Sequence, residues 1–114
     1  MNVQFYSPSY KRAKSTNLDE YLPSVIFCVH EFEAEEYQEN HENVIVMPDS
    51  LRGNMAKVRN FILDYARKNN VDICVMLDDD VEYIGYFEKQ ELYRITEGEL
   101  VDNIFEWSHM AKDL

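Results

Sequence analysis

Four short apolar runs, VQFYS (3–7), SVIFCV (24–29), NVIVMP (43–48) and VDICVML (71–77), recur along the chain with helical or loop connections between them. Antiparallel strands can be joined by two-residue turns, but parallel strands need a crossover of about a dozen residues or more, so this spacing predicts a mostly parallel α/β sheet with flanking helices. SVIFCV is nearly continuous in apolar residues, the pattern of a strand covered on both faces. Pro8 and Pro48 end the first and third runs, because proline offers no amide to a ladder.

The connections are uneven in clarity. Asn17 with Glu20 has capping-box spacing, which predicts a short helix over Leu18 to Leu22 stopped by Pro23. HEFEAEEYQENHEN carries six Glu and no Lys or Arg, which reads as a solvated face, with Phe32 and Tyr37 able to anchor a short helix. The clearest helix follows Asp49 and Ser50, either of which can cap it. Its stripe is Leu51, Met55, Val58, Ile62, Tyr65 and Ala66, closed by Arg67 and Lys68 where the helix dipole favours cations. On that helix Arg52 and Arg59 fall one above the other on the shoulder of the stripe. Beyond the fourth run, EYIGYF and ELYRI are two further strands or a hairpin around Glu88 to Gln90. Thr96 and Glu99 then open a last helix, with Leu100, Ile104, Trp107, Ala111 and Leu114 at helical spacing.

A chain of 114 residues suits one domain over 1–114, and 46% hydrophobic residues with 3 Gly and 3 Pro describe an ordinary globular composition. No apolar stretch approaches the roughly 20 residues of a membrane span, and the N-terminus lacks the order of a signal peptide, so the expectation is a cytoplasmic protein. Cys28 and Cys74 lie inside predicted strands with no metal-ligand spacing and read as reduced core residues. The net charge of −11 argues against a general nucleic-acid or anionic-membrane surface. Eight of the 11 basic residues nevertheless fall in two places, Lys11, Arg12 and Lys14, then Arg52, Lys57, Arg59, Arg67 and Lys68, which contain the single acid Asp64.

The fourth run ends in Asp78, Asp79 and Asp80. Neighbouring carboxylates repel by about 1 kcal/mol per pair at 4 Å in water and about 4 kcal/mol near a protein surface, so something must offset them. Were the strand to continue, Asp78 and Asp80 would share one side and Asp79 the other. In open α/β sheets ligands bind outside the carboxyl ends of the strands, and Mg²⁺ or Mn²⁺ held by one or two carboxylates and a diphosphate would remove the repulsion. The alternative is a turn at Asp79 and Asp80 with Asp78 capping an amide. An EF-hand is excluded, because Tyr83 stands where its glycine should be and Lys89 where its terminal Glu should be. Gly53, Gly85 and Gly98 are too scattered for a phosphate loop or a dinucleotide fingerprint.

SPSYKRA after the first run, RGNMAKVRN in the main helix and LDDD after the fourth together resemble the signatures of the nucleotide-sugar half of GT-A-fold glycosyltransferases. With VHEFEAEEY, VIVMPDSLRGNMAKVRN and VMLDDDVEYIGYF, the chain over residues 3 to 105 is similar to the phage-type TET-associated glycosyltransferases, whose proposed acceptors are hydroxymethylated DNA bases. The resemblance implies a Rossmann-like, GT-A-type fold, of which this length would be the nucleotide-binding half with the C-terminal acceptor part missing. It implies a metal-dependent glycosyltransferase of hexosyltransferase type that binds a nucleoside-diphosphate sugar through Mn²⁺ or Mg²⁺ at a DxD motif. By the same resemblance Pro8, Ser9, Tyr10 and Arg12 would meet the base and ribose, Arg59 and Asn60 would lie beside the nucleotide and its phosphates, and Asp78 would sit near the ribose. Asp80, with Asp78, would hold the metal. Glu31 is the nearest match to the family's acid after its second strand, with His30 and Glu33 competing for that place. No catalytic base is identified.

Two other readings stand beside this one. A sugar nucleotidyltransferase would use similar carboxylates but usually wants glycines after the first strand, which SPSYKRA lacks. A non-catalytic interaction module would use the acidic face from Glu31 to Glu42 and the aromatic Tyr83, Tyr86 and Phe87. An apolar side on the last helix would seek either a missing domain or a second copy of the chain.

Overall fold

The computed structural model describes residues 2–80, 85–88, 91–94 and 96–112, with side chains left aside for 85–94 and 106–112. Four strands, β1 (Val3–Pro8), β2 (Ile26–His30), β3 (Val44–Met47) and β4 (Ile73–Met76), form one sheet in the order β3-β2-β1-β4. All its pairings are parallel, with Tyr6 opposite Ile26 and Met76, and His30 opposite Met47. The predicted α/β class and its parallel sheet are what the molecule has.

Strand order explains the layers. The chain moves outward from β1 to β2 to β3 through α1 (Leu18–Tyr21) and α2 (Ala34–Asn40), then returns past β1 to β4 through α3 (Met55–Lys68). Parallel crossovers are right-handed, so reversing the direction of travel moves the connecting helix to the other face. Side chains sort accordingly at the two-residue strand period. Phe5, Phe27 and Val29 pack with Leu18, Leu22, Val25, Ala34 and Tyr37 on one face, joined by Leu100, Val101 and Ile104 of α4 (Glu97–Lys112). Tyr6, Cys28 and Met47 pack on the other with Val58, Ile62 and Ala66 of α3. Cys28 is buried and Cys74 half-buried, both free, and burial pushes both thiols up in pKa. Burial likewise pushes the Tyr6 hydroxyl up to about 12.

Several local expectations need correction. The Asn17 side chain makes no cap hydrogen bond, so the capping box does not form, and α1 is a single turn ending at Tyr21. The main helix starts later than its stripe predicted. Asp49–Leu51 forms a separate 3₁₀ turn, Gly53 at φ +78° redirects the chain, and Asn54 caps α3 by accepting from the Lys57 amide at 3.1 Å. Such a cap contributes on the order of 1 kcal/mol. Arg52 therefore precedes α3 and is not stacked on Arg59, and Met55 is exposed. At the far end Arg67 and Lys68 do close the helix.

β5 (Gly85–Glu88) and β6 (Glu91–Arg94) pair antiparallel, the hairpin alternative. Tyr83 lies outside the described residues, as do the side chains of Tyr86 and Phe87. The Glu99 amide donates to the Thr96 hydroxyl at 3.2 Å, the hydroxyl half of the predicted box. Ser24 donates from its backbone and its hydroxyl to the Glu97 carboxylate, tying the start of α4 to the entry of β2. Among the described residues no helix is long and apolar enough to cross a membrane.

Candidate functional site

Strand order reverses between β1 and β4, because the chain leaves β1 toward β2 but arrives at β4 on the other side. A crevice opens at such a point, and the loops after the two strands form its walls. Here those loops are SPSYKRA and the aspartate triplet.

The triplet is not extended. β4 ends at Met76, and Asp79 and Asp80 form a turn, so the expected sharing of one side by Asp78 and Asp80 through strand alternation does not apply. Asp79, which strand geometry assigned to the opposite side, is the aspartate that joins the two loops. Its Oδ2 accepts from Ser9 Oγ at 2.6 Å, its Oδ1 from Arg12 at 2.9 Å, and its backbone carbonyl from the Thr16 hydroxyl at 2.7 Å. The Arg12 guanidinium also lies 3.9 Å from Asp80 Oδ2. Asp79 is 11% exposed, Asp80 68% and Arg12 48%. The repulsion within the triplet is thus offset in part by a cation delivered from the first loop.

Hydrogen-bond chemistry sets the direction of a longer chain. An ionised carboxylate only accepts, so the Ser9 hydroxyl donates to Asp79 and must accept from Tyr37, whose hydroxyl is 2.5 Å away. Tyr37 in turn accepts from the Arg12 backbone amide at 3.1 Å. Burial raises the Tyr37 pKa, which keeps the donating hydroxyl protonated. Tyr37 is fully buried and comes from α2, the helix the acidic composition described as a solvated face. That description holds for Glu35, Glu36 and Glu39, which are exposed, but not for Glu33, which is buried, while Tyr37 is the expected anchor and its hydroxyl reaches the crevice.

The turn that aims Arg12 is strained. Lys11 sits at φ 55°, in the left-handed region uncommon for a side-chain-bearing residue, and its amide donates to Glu33 Oε2 at 2.9 Å. Glu33 is buried, and its Oε1 has no partner among the described residues. Burial therefore raises its pKa, with the Lys11 amide and His30 pulling the other way. A raised carboxyl contributes stability below its unfolded value that is lost as pH rises through its folded one. Glu33→Gln should accordingly gain on wild type in urea unfolding as pH rises above the ordinary carboxyl value of 4.5, and a pH-independent difference would contradict the assignment.

An aromatic and cationic shelf adjoins this crevice at the ends of β1 to β3. Tyr10 and Phe32, about half exposed, meet edge to face at 5.9 Å, and His30 stacks on Phe32 at 6.3 Å. Arg52 lies over the Phe32 ring at 4.1 Å and donates to the Tyr10 hydroxyl at 3.4 Å. That bond, then the one with Lys11, lowers the Tyr10 pKa. Glu31 accepts from the Asp49 amide at 3.3 Å while Asp49 accepts from the Phe32 amide at 3.2 Å, clasping the exits of β2 and β3. A groove of about 640 Å³ runs between the loop and α2, with Lys11, Arg12, Phe32 and Glu33 in its walls. Arg12 belongs to both the groove and the aspartate turn.

Pro8, Ser9, Tyr10, Arg12, Glu31, Asp78 and Asp80 therefore all lie at the carboxyl end of the sheet. Arg59 and Asn60 are exposed on α3 and make no hydrogen bond or ion pair with the aspartate turn among the described residues. Asp79, Tyr37, Thr16, Phe32 and Arg52 are the additions. Phe32 and Arg52 had a signal in their residue types, an aromatic beside an arginine-bearing segment, but no sequence pattern points a tyrosine at a serine 28 positions away.

No group of three or more His, Cys, Asp or Glu residues is arranged to hold a metal among the described residues. Asp78 and Asp80 are both exposed, Asp80 on the turn and Asp78 just before it; carboxylates are the donors that Mg²⁺ or Mn²⁺ takes together with substrate oxygens.

A family model described as TET-Associated Glycosyltransferase matches residues 3–105. No curated protein and no solved structure matches the chain.

Proposed function

The chain belongs to the TET-associated glycosyltransferase family, and from that premise we propose that it binds a nucleoside-diphosphate sugar across the carboxyl ends of β1 and β4, as the donor site of a metal-dependent glycosyltransferase. The observation that carries the reading is the convergence of Ser9, Arg12 and Thr16 on the aspartate turn at the point where strand order reverses.

Each residue then has a chemical task. Tyr10, with Phe32 beside it, offers an exposed aromatic surface for the base, and Pro8 and Ser9 form the floor under the ribose. Asp78 and Asp80 would hold Mn²⁺ or Mg²⁺, which when bound neutralises charge on the diphosphate. Arg12 supplies a second positive charge whose guanidinium matches paired phosphate oxygens, and its backbone is already fixed by Tyr37. Preorganised charge of this kind is worth most where negative charge develops, on the departing nucleoside diphosphate. Asp79 holds the two loops together and is not free for metal. Arg59 and Asn60 flank the phosphates in this reading from the exposed side of α3.

The acceptor side is proposed more coarsely, as a modified base such as a hydroxymethylated one in DNA. A chain of net charge −11 would meet DNA through a local surface and not through its overall field.

Calorimetric titration with a panel of nucleoside diphosphates, with and without Mn²⁺, tests the donor reading. Binding that requires Mn²⁺ and falls at least about tenfold in Asp80→Asn is expected, equivalent to about 1.4 kcal/mol. Wild type that binds none of the panel at millimolar concentration would sink it.

A further inference from the structure

We propose that Arg12 occupies the aspartate turn as a stand-in for the divalent cation and is drawn off it by the donor's diphosphate, so that metal and nucleotide favour one another's binding. This inference rests on the donor reading above and adds an order of events to it.

The geometry of the two aspartates carries the idea. Asp79 is saturated by the protein, one oxygen taking Ser9 and the other Arg12, and is nearly buried. Asp80 is mostly exposed, and the one described cation beside it is the same guanidinium at 3.9 Å. A divalent ion arriving at Asp80 alone would therefore sit within a few ångströms of Arg12 and meet like charge in a place only partly screened by water. Metal by itself should bind weakly.

Arg12 is built to leave. Its backbone amide is held by Tyr37, yet its side chain is half exposed and makes no other ion pair among the described residues. An exposed arginine–carboxylate contact is cheap to break, whereas a diphosphate offers the planar guanidinium two parallel oxygen contacts and more negative charge. Once Arg12 turns to the phosphates, the turn regains its unbalanced negative charge and the ion has a reason to enter. By linkage, the factor by which nucleotide strengthens metal binding equals the factor by which metal strengthens nucleotide binding.

The prediction has opposite signs for the two ligands. Mn²⁺ binding followed by electron paramagnetic resonance, with no nucleotide present, should be several-fold tighter in Arg12→Ala than in wild type. Arg12→Lys keeps the charge and should remain near wild type. Binding of UDP or GDP in saturating Mn²⁺ should be about tenfold weaker in Arg12→Ala, and the coupling factor between metal and nucleotide should shrink. Arg12→Ala that binds Mn²⁺ no more tightly than wild type overturns the inference, as does an equal gain in Arg12→Lys, because charge would then not be the cause. Either result can coexist with Mn²⁺-dependent nucleotide binding by wild type, which keeps the donor reading standing. Loss of that binding in wild type itself would strike the donor reading instead.

Discussion

Asp79→Ala is expected to lower the unfolding free energy by about 2 kcal/mol and to weaken Mn²⁺-dependent nucleotide binding by more than tenfold. Its carboxylate accepts from Ser9 and Arg12, and hydrogen bonds to a charged group contribute about 1.5–3 kcal/mol. The Arg12 end is half exposed, so solvent screening discounts that share, and most of the loss belongs to the buried Ser9 end. Removing the carboxylate leaves the Ser9 and Tyr37 hydroxyls in series without their final acceptor. Among the described residues, the loop that carries Tyr10 and Arg12 then keeps only the Thr16 bond to the Asp79 carbonyl as a hydrogen bond to that turn. Asp79→Asn should fall between the two, because its amide group presents a donor to either Ser9 or Arg12 where both require an acceptor. Urea unfolding combined with calorimetry checks both numbers. A variant indistinguishable from wild type in both would remove Asp79 from the centre of the site.

Phe27→Ala is expected to have the largest effect on stability, about 3–5 kcal/mol, the usual cost of truncating a buried phenylalanine. Domains of this size are stable by only about 5–15 kcal/mol, so the variant should be near the edge of folding at room temperature. Phe27 is 1% exposed on β2 and packs against the rings of Tyr37 at 6.2 Å and His41 at 4.6 Å. His41 itself bridges Asp19 at 2.6 Å and the Ala13 carbonyl at 2.8 Å. The cavity would therefore open beneath the helix that fixes Arg12, and binding should fail along with stability. Guanidinium unfolding measures the change, and a loss below about 1 kcal/mol would mean that this face of the sheet is not packed around Phe27.

These two residues differ in how far they could be read in advance. Phe27 sits in an apolar run, and its burial follows from the run itself. Asp79 was the least obvious of its triplet, because alternation along an extended strand puts it opposite Asp78 and Asp80. The strand stops two residues before the triplet, and the turn that follows brings the middle carboxylate against Ser9. Similarly, capping residues were recognisable by type but not by choice. Asn17 has box spacing without a cap, while Asn54 caps α3 after a 3₁₀ turn and Gly53 have consumed the first turn of its stripe. Propensity ranks candidates at a terminus, and the path of the incoming chain selects among them.

Hydrophobic period and connection length, both local properties, determined that this chain forms parallel strands separated by crossovers, and the motifs borne on their ends pointed to the family. Tertiary structure decided which polar groups meet. Ser9 and Tyr37 are 28 positions apart, and Arg12 and Asp79 are 67 apart. Short hydrogen bonds between such residues depend on strand order and on turns at the strand ends, to within a fraction of an ångström. Residue spacing along the chain carries no information at that precision.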